Sequence, residues 1–576
     1  MADPTLQSPG QAPMRNGGQI LMQQLRVQGA KRLFMVPGES YLPCIDALNE
    51  HVGSIQAVVC RNEGGAAFMA EAQGKLSGEP GICFVTRGPG ATNASIGVHT
   101  AFQDSTPMVL FIGQVSTDML DREAFQEIDY RRMFGQMAKW VAQIDRTERI
   151  AEYVARAFHV AVNGRPGPVV LALPEDVLWG RACVPDLPRY QRVVTLPSQA
   201  QAIAVAQRLH SAKRPLVIVG GSVWDDAGYA ALHVFAKAWQ LPVGVAWRRL
   251  DCFDHSHESY VGHVGYGMHA ALAARIRQAD LILAIGTRLG EATTEGFTHI
   301  QSPLPTQALL HVYPDAAELG RVFQAELMIQ CSPSEFAKAM AVQQAPTAPV
   351  WASATQQDRA NYLATLGVVD MPGNMNLNEA ARQVAALLPA DAILTVGAGN
   401  YALYPHRFIQ FTQRHTQLSP TVGSMGYGLP AAIAAKLEHP DRTVVCYAGD
   451  GCFQMNLQEL GVAMQYRVGI VILVFNNGMW GTIRMHQERE FPGRAIALDF
   501  DNPDFVQLAR AYGGHGEMVE RTEDFAAAFT RASKFADDQH MPALLEVRYD
   551  RDAIAPGTTL SEVRATALAA LNRPVF

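Results

Sequence analysis

Short apolar runs bounded by glycine, proline or polar residues recur along the chain, with stretches of helical periodicity between them. Such runs are typical of buried parallel strands, and their alternation with helical stretches predicts doubly wound α/β domains. The clearest strand predictions are the runs RLFMVP, ICFVT, MVLFIG, PVVLALP, PLVIVGG, LPVGVAW, LILAIG, LLHVYP, TVVCYAG and VGIVILVF.

Two links, DLPRYQRVVTLPSQAQ and VQQAPTAPVWASA, divide these runs into three α/β blocks. The predicted boundaries are a disordered tail at residues 1–16, a first domain at 17–188, a middle domain at 189–345 and a third domain at 346–576. A chain of 576 residues is too long for one core. A prior of roughly 150 residues per domain agrees with this division.

The composition is that of an ordinary globular protein, with 48% hydrophobic residues, 18% charged residues and a net charge of -7. This charge gives no basic footprint for nucleic acid, and no apolar run approaches the ~20 residues of a membrane-spanning helix. The eight cysteines show no paired spacing, which is typical of a reducing compartment. We therefore expect a cytoplasmic protein without nucleic-acid or membrane partners.

The segment from Gly449 to Asn477 carries the most informative chemistry. Gly449, Asp450 and Gly451 follow one predicted strand as a turn, MNLQELGVAMQY predicts a helix, and Asn477 follows the next predicted strand. Both polar ends therefore fall at the carboxyl edge of one sheet, where α/β folds bind ligands. Asp450 can give Mg²⁺ a carboxylate oxygen, Asn477 an amide oxygen and Met479 a main-chain carbonyl, with diphosphate oxygens and water completing about six ligands. The two glycines let the backbone approach phosphates.

This arrangement resembles the metal-and-diphosphate motif of the thiamine diphosphate enzymes, in which Gly-Asp-Gly is followed after a fixed interval by Asn-Asn. Each piece alone is a common turn, but the pair with strand, helix and strand between its ends is not. The resemblance implies an α/β fold of three doubly wound parallel-sheet domains, which are pyrimidine-binding, middle and diphosphate-binding. It also implies thiamine diphosphate and Mg²⁺ as cofactors.

The segment CRNEGGAAFMAEAQGKLSG resembles the glutamate helix of the same family and places Glu63 at the catalytic position. In that family a carboxylate bonded to N1′ drives the aminopyrimidine to the imino tautomer, which removes the C2 proton. A capping role at a helix start is the structural alternative for Glu63, and we assign the rival carboxylate Glu71 to a structural role. Because the glutamate of one subunit meets the diphosphate domain of another in this family, the resemblance implies an obligate homodimer and indicates a homotetramer.

A third segment, TVGSMGYGLPAAIAAKL, resembles the part of the family in which a large apolar side chain wedges between the two cofactor rings. By position, the resemblance assigns this wedge to Met425 and the carbonyl that holds the 4′-amino group to Gly423. Methionine at such a position is also common in plain cores. GPGATN and GQV complete the resemblance in the first domain.

Within the superfamily, the pattern resembles the acetolactate synthase large subunits. VPGES, VTRGPGATN, DSTPMVLFIGQV, EAFQE, GRPGPVVLALPEDV and GSMGYGLPAAI occur in the order of that family. The resemblance implies a carboligase or decarboxylase that acts on a 2-keto acid or related carbonyl, and it places Gln126 near the active site. In the middle domain it leaves open whether FAD, another nucleotide or nothing is bound.

The sequence departs from the synthases where they set substrate specificity. Ala292 stands where they place an arginine that grips the carboxylate of the second 2-keto acid, and His486 falls where they carry a tryptophan that helps to select the acceptor. Losing a cation at a carboxylate site costs on the order of a few kcal/mol of binding. A simple 2-keto acid decarboxylase and a 2-hydroxyacyl-CoA lyase are therefore alternatives. A non-catalytic paralogue is disfavoured because Glu63, Asp450 and Asn477 are all present.

Three further residues are candidates for the substrate pocket. Glu39 follows Pro-Gly where simple decarboxylases have an acidic residue facing C2, and Arg87 precedes GPGATN and could bind an anionic substrate. For these two charges a solvated loop position is an equally good interpretation. Trp480 follows the metal loop directly and could line the same pocket.

Overall fold

A computed structural model describes residues 13–571. Three six-stranded sheets organise this part of the chain, and all strand pairs within them are parallel. Helices flank each sheet, which confirms the predicted fold of three doubly wound parallel-sheet domains. Every strand predicted from an apolar run is present.

The first sheet domain begins with a short strand that pairs outside its main sheet. Its strands are β1 (Met14–Asn16), β2 (Arg32–Met35), β3 (Gln56–Val59), β4 (Gly81–Val85), β5 (Met108–Gln114), β6 (Trp140–Gln143), β7 (Pro168–Pro174) and β8 (Arg181–Cys183). Its helices are α1 (Gly17–Gln28), α2 (Leu42–Ala47), α3 (Glu63–Ser77), α4 (Pro89–Asp104), α5 (Tyr130–Phe134), α6 (Ile150–Val162) and α7 (Glu175–Trp179). The main sheet has the order β3-β2-β4-β5-β7-β6.

The antiparallel pairing of β1 with β8 corrects the predicted tail. The prediction of disorder for 1–16 is wrong for Met14–Asn16, because three residues of backbone pairing fix this strand against Arg181–Cys183. The rest of that prediction, at residues 1–12, lies outside the described residues.

The middle domain has the sheet order of a dinucleotide-binding fold. Its strands are β9 (Pro215–Val219), β10 (Val243–Ala246), β11 (Tyr260–Val264), β12 (Leu281–Ile285), β13 (Ala308–Tyr313) and β14 (Leu327–Gln330). Its helices are α8 (Gln199–Ser211), α9 (Asp226–Trp239), α10 (Ala270–Arg277), α11 (Glu291–Thr294), α12 (Pro333–Ala341) and α13 (Ala352–Ala364). The last of these lies beyond the predicted boundary at 345 but packs against α10 and β11. The order β11-β10-β9-β12-β13-β14 puts the topological switch point between β9 and β12.

The third domain repeats the strand order of the first. Its strands are β15 (Ile393–Val396), β16 (Gln417–Leu418), β17 (Val444–Gly449), β18 (Val471–Asn476), β19 (His515–Val519), β20 (Ala543–Arg548) and the short antiparallel pair β21 (Ala553–Ala555) and β22 (Thr558–Thr559). Its helices are α14 (Leu377–Leu387), α15 (Leu403–Phe408), α16 (Gly428–Glu438), α17 (Asp450–Gln454), α18 (Leu460–Gln465), α19 (Gly481–Glu490), α20 (Phe505–Ala511), α21 (Thr522–Gln539) and α22 (Leu560–Leu571). In chain order, its sheet β16-β15-β17-β18-β20-β19 matches the first sheet strand for strand.

The helix predicted after Gly-Asp-Gly is interrupted, and the prediction of a turn at Gly-Asp-Gly itself is wrong. Gly449 has extended backbone and caps α17, so Asp450 and Gly451 are its first residues. A 3₁₀ turn at Leu457–Glu459 then precedes α18. The break falls at Asn456, whose φ of -140° is not helical and whose side chain accepts a bond from a glutamine amide.

Two compact units divide the described residues. The first contains 13–193, 429–440 and 456–466, and the second contains 194–428, 441–455 and 467–571. The first unit therefore includes α18, although α18 follows the third domain's Gly-Asp-Gly segment in the chain. Among the described residues, none of the helices has the length and apolar content that crossing a membrane requires.

Candidate cofactor site

A cavity of about 200 Å³ lies at the carboxyl edge of the third sheet, in the second compact unit. The loops after β15, β17 and β18 contribute to it, and β15 and β17 flank the switch point of this sheet. Eight residues predicted from the sequence line it: Gly423, Met425, Gly449, Asp450, Gly451, Asn477, Met479 and Trp480. The structure thus brings together residues that are up to 57 positions apart in the chain, from Gly423 to Trp480.

The Asp450 carboxylate is held at this edge by four donors. Its Oδ2 accepts bonds from the backbone N–H of Gly478 at 2.8 Å, the side-chain amide of Asn502 at 2.9 Å and the N–H of Asn477 at 3.2 Å. Its Oδ1 accepts the N–H of Gly451 at 2.9 Å. Burial raises the pKa of Asp450, and these bonds, which favour the ionised form, oppose that rise. The side chain is therefore fixed with one oxygen still able to accept a metal ion.

Asn477 and Met479 extend the oxygen set along the loop after β18. Both residues are buried and both line the cavity. The carbonyl of Met479 accepts the N–H of Gly481 at 2.8 Å, which folds the chain tightly into α19. The neighbouring Asn476 stabilises the loop instead, because its side chain is hydrogen-bonded to Gly478, Asn502 and Glu546.

Two glycines are required by close contacts rather than by backbone conformation. A Cβ on Gly451 would lie 2.4 Å from the Trp480 ring, and a Cβ on Gly449 would lie 2.8 Å from the Tyr401 ring. Trp480 also packs against Phe500, with ring centroids 4.9 Å apart. The aromatic rings thus pack directly against the backbone at the Gly-Asp-Gly segment.

The charge of the cavity lining suits a diphosphate only together with a metal ion. Asp450 is ionisable and acidic, and no arginine, lysine or histidine is among the described residues that line the cavity. A diphosphate brought beside this carboxylate needs a cation that the described lining residues do not supply. The oxygen donors at Asp450, Asn477 and Met479 are of the kind that Mg²⁺ prefers, so the residues present fit a Mg²⁺–diphosphate pair.

Cys452 and Tyr401 line the same cavity and were not predicted. The Tyr401 hydroxyl donates to Cys452 Sγ at 3.2 Å, and both side chains are buried. Burial and the neighbouring thiol raise the pKa of Tyr401, so its hydroxyl keeps its proton. Nothing in the local sequence pattern distinguishes these two residues from ordinary core.

Glu63 lies in the first compact unit, as the first residue of α3. Its Oε2 accepts a bond from the Asn93 amide at 2.9 Å, and its side chain is half-buried. The alternative in which Glu63 caps the helix is wrong, because the Asn62 side chain caps α3 by accepting the N–H of Gly64 at 2.8 Å. The structural role assigned to Glu71 is confirmed: it is buried and accepts a bond from a threonine hydroxyl at 2.7 Å.

Arg87 and Glu39, both predicted for the substrate pocket, bond to each other. Arg87 Nη2 lies 3.1 Å from Glu39 Oε1, and Nη1 contacts Glu175 Oε1. Arg87 is 8% exposed, so the alternative of a solvated loop charge is wrong for this residue. The Glu39 side chain is 68% exposed. Any anion at Arg87 would therefore compete with two carboxylates.

The remaining substrate candidates are not among the residues that line the cavity. Gln126 adopts a left-handed φ of 64°, and its Cβ would lie 2.8 Å from a Cβ on Gly88. His486 is exposed on α19 and is not among the residues that line the cavity. Ala292 lies on α11 and offers only a methyl group.

Comparisons with known proteins agree with this geometry. Family models match three parts of the chain: the N-terminal TPP binding domain of thiamine pyrophosphate enzymes at 15–133, the central domain at 203–340 and the C-terminal TPP binding domain at 397–547. The acetolactate synthase isozyme 2 large subunit of Escherichia coli (strain K12) is 31% identical over 559 residues, which cover 95% of this chain and 99% of the relative. An acetolactate synthase of Arthrospira platensis is 30% identical over 575 residues, covering 95% and 97%.

Proposed function

Because the chain belongs to the thiamine pyrophosphate enzyme family and is a thiamine pyrophosphate-dependent enzyme, we propose that it is a Mg²⁺-dependent carboligase or decarboxylase acting on a 2-keto acid or related carbonyl, similar to acetolactate synthase. One observation carries this proposal. The cavity at the switch point of the third sheet combines the oxygens of Asp450, Asn477 and Met479 with a lining that contains no basic side chain among the described residues. Such a lining needs a metal ion before it can hold a diphosphate.

The chain's own residues divide the work of catalysis. When bound, thiamine diphosphate supplies the carbanion that attacks the substrate carbonyl and the sink for its electrons. Gly423 and Met425 orient the cofactor, while Asp450, Asn477 and the Met479 carbonyl hold the metal. Apolar walls exclude water, which strengthens each of these interactions.

We assign Glu63 to the exchange of a proton with the pyrimidine ring of the cofactor, which we call the proton circuit. Its Oε2 is bonded to Asn93, so Oε1 is the oxygen that we assign to the proton shared with the pyrimidine nitrogen N1′. A glutamate in this position acts by general acid–base catalysis. The family resemblance adds that Glu63 serves a cofactor held by a second subunit, so we propose an obligate homodimer and a homotetramer, in the cytoplasm.

Simple decarboxylation is the second candidate, and Ala292 favours it. Since the residue offers a methyl group where the synthases have an arginine, the carboxylate of a second 2-keto acid lacks that partner here. A proton or a neutral carbonyl then becomes the better acceptor. A 2-hydroxyacyl-CoA lyase would use the same cofactor geometry with a different leaving fragment.

FAD in the middle domain is a separate hypothesis. The carboxyl ends of β9 and β12 are glycine-rich at the switch point, and both Gly221 (φ 84°) and Gly286 (φ 70°) are left-handed there. This is where α/β folds bind dinucleotides. Flavin absorbance in the purified protein, or uptake of added FAD, supports the hypothesis. Failure to retain FAD after saturation and desalting overturns it.

The decisive experiment is incubation of the purified protein with thiamine diphosphate, Mg²⁺ and pyruvate, with CO₂ and organic products followed together by NMR. Acetolactate or acetoin establishes carboligation, whereas acetaldehyde alone establishes the simple decarboxylase. Asp450→Ala should lose both products. The matched control is Asp499→Asn, which removes an exposed carboxylate paired with Arg551 beside the same loop and should leave turnover unchanged. Absence of turnover from every 2-keto acid, with cofactor and metal bound, would overturn the proposal.

A further inference from the structure

The connection that leads to Glu63 begins at β3, an edge strand of the first sheet. β3 pairs with β2 on one side, so the backbone groups on its other side have no strand partner. A segment at 456–466, in the same compact unit, covers that side. The hydroxyl of Tyr466 accepts the N–H of Val59 at 2.8 Å and donates to the carbonyl of Ala57 at 3.1 Å. One side chain thus satisfies two backbone groups of the exposed edge.

Glu459, from the same segment, holds the next part of the connection. Its Oε1 accepts the N–H of Asn62 at 2.9 Å and that of Arg61 at 3.2 Å, and its side chain is fully buried. These two donors precede α3 and have no helical partner of their own. Gly65 makes room for the contact, since a Cβ there would lie 2.6 Å from Glu459 Oε1.

The surroundings of Glu459 make its charge sensitive to pH. Burial raises the pKa of Glu459 to about 7, and the charge of Glu63 contributes to this rise. The bonds from Arg61 and Asn62 and the charge of Arg61 act in the opposite direction. Cys60 is the remaining titratable neighbour, and burial keeps its thiol protonated by raising its pKa. Because burial outweighs the backbone donors, the folded connection favours the protonated carboxyl, so the contribution of Glu459 to its stability is complete at acidic pH and decreases as the pH rises through about 7.

We propose that Glu459 is a positioning residue, which fixes the start of α3, and with it the Glu63 carboxylate, through the backbone N–H groups of Arg61 and Asn62. The role rests on the proposed function of Glu63 in the proton circuit. Glu63 is one residue beyond the second of these N–H groups, so a shift of the backbone there moves the carboxylate directly. A misplacement of about 1 Å costs up to ~100-fold in rate in a preorganised site.

The first test needs no cofactor. Hydrogen exchange in the full-length apoprotein measures protection of the Arg61 and Asn62 amides from about pH 6 to about pH 8, after correction for intrinsic rates. Because burial raises the pKa of Glu459, the closed state keeps a proton that the open state releases, so wild-type protection should fall as the pH rises to about 7 and level off above it. Glu459→Gln keeps an acceptor oxygen but cannot ionise, so its protection should be independent of pH over this range. The matched control, Tyr466→Phe, should expose Val59 and leave the other two amides unchanged.

The second test uses thiamine diphosphate with Mg²⁺ and follows exchange of the C2 proton by NMR, which requires no substrate. Glu459→Gln should slow this exchange at pH 8 by roughly 10- to 100-fold and remove its inflection near neutral pH. Glu459→Asp, which restores a charge, should recover part of both. Fast wild-type exchange that Glu459→Gln reproduces in rate and pH profile would overturn the role of Glu459 and leave the proposed function standing. Failure of the wild type, with cofactor bound, to accelerate exchange would overturn both.

Discussion

The Glu63 carboxylate accepts a hydrogen bond from the side-chain amide of Asn93 at 2.9 Å. The two residues come from different sequence motifs, since Glu63 begins α3 and Asn93 lies in the first turns of α4. Gly90 of the same α4 motif approaches the other oxygen, because a Cβ on it would lie 3.4 Å from Glu63 Oε1. The GPGATN motif therefore orients the carboxylate as well as beginning α4.

Replacing Asn93 tests this orientation. Asn93→Asp removes the donor and places a like charge beside Glu63, so we expect kcat to fall by roughly 10- to 100-fold with little change in the thermal unfolding midpoint. Steady-state kinetics and a melting curve measure the two effects. Thr92→Ser is the control, because Thr92 bonds only backbone carbonyls of its own helix region. Equal kcat values for Asn93→Asp and the wild type would show that the bond does not contribute to orientation.

Replacing Glu63 itself tests the proton circuit. Glu63→Gln keeps the shape of the side chain but cannot ionise, so turnover should fall by about 10²- to 10⁴-fold while thiamine diphosphate affinity stays within a few-fold of the wild type, since the cavity residues are untouched. Product assays and calorimetric titration separate the two quantities.

The matched control for Glu63→Gln is Glu71→Gln on the same helix. Glu71 is buried and bonds Thr106 and Lys75, so its loss should lower the unfolding midpoint. The turnover of the molecules that remain folded should stay close to that of the wild type. Full turnover by Glu63→Gln would remove Glu63 from the circuit.

Hydrophobic patterning was enough to predict the ten most apolar strands of the three sheets, because strands buried on both faces are continuous apolar runs. The spacing of Asp450 and Asn477 also predicted that both residues line one cavity, since adjacent parallel strands end at the same edge. Asn502, Asn93 and Glu459 escaped prediction. Each acts through a side-chain bond to a distant part of the chain, and no local period records such a contact.

Gly451 provides a steric test of the cofactor site. Gly451→Ala would put a Cβ 2.4 Å from the Trp480 ring and 3.1 Å from Phe500, so the ring must move or the Gly-Asp-Gly backbone must shift. We expect thiamine diphosphate affinity to fall at least about tenfold, because the backbone that approaches the diphosphate is displaced. Quenching of tryptophan fluorescence by the cofactor measures this affinity.

A glycine without such contacts serves as the control for Gly451→Ala. Gly290 has a φ of -67°, and a Cβ there would meet nothing within 4 Å. Gly290→Ala should therefore bind the cofactor as the wild type does. An unchanged affinity in Gly451→Ala would mean that the Trp480 ring moves freely and that this contact does not shape the site.

The contacts of Glu488 predict that the attachment of the last helix, α22, to α19 is sensitive to acid. It is fully buried on α19 and accepts bonds from Arg564 of α22 at 2.6 and 2.8 Å, from Arg484 at 3.2 Å and from the N–H of Gly493 at 2.9 Å. The bonds from Arg564 are the main reason why the pKa of Glu488 is lowered to about 2. A glutamate in an unfolded chain titrates near about 4.3. The stabilisation is therefore complete above that pH and is lost as the pH falls from there towards about 2.

Hydrogen exchange across α22 at a series of pH values measures this attachment. Protection of α22 should be constant from neutral pH to about 5 and fall below that as Glu488 takes up its proton. Arg564→Met should lower protection already at neutral pH and flatten the acid dependence, because most of the depression of the Glu488 pKa is removed. The control is Glu490→Gln, which changes an exposed carboxylate on the same helix α19 and should reproduce the wild-type curve. If Arg564→Met keeps the wild-type acid dependence, the attachment of α22 depends on apolar contacts rather than on this ion pair.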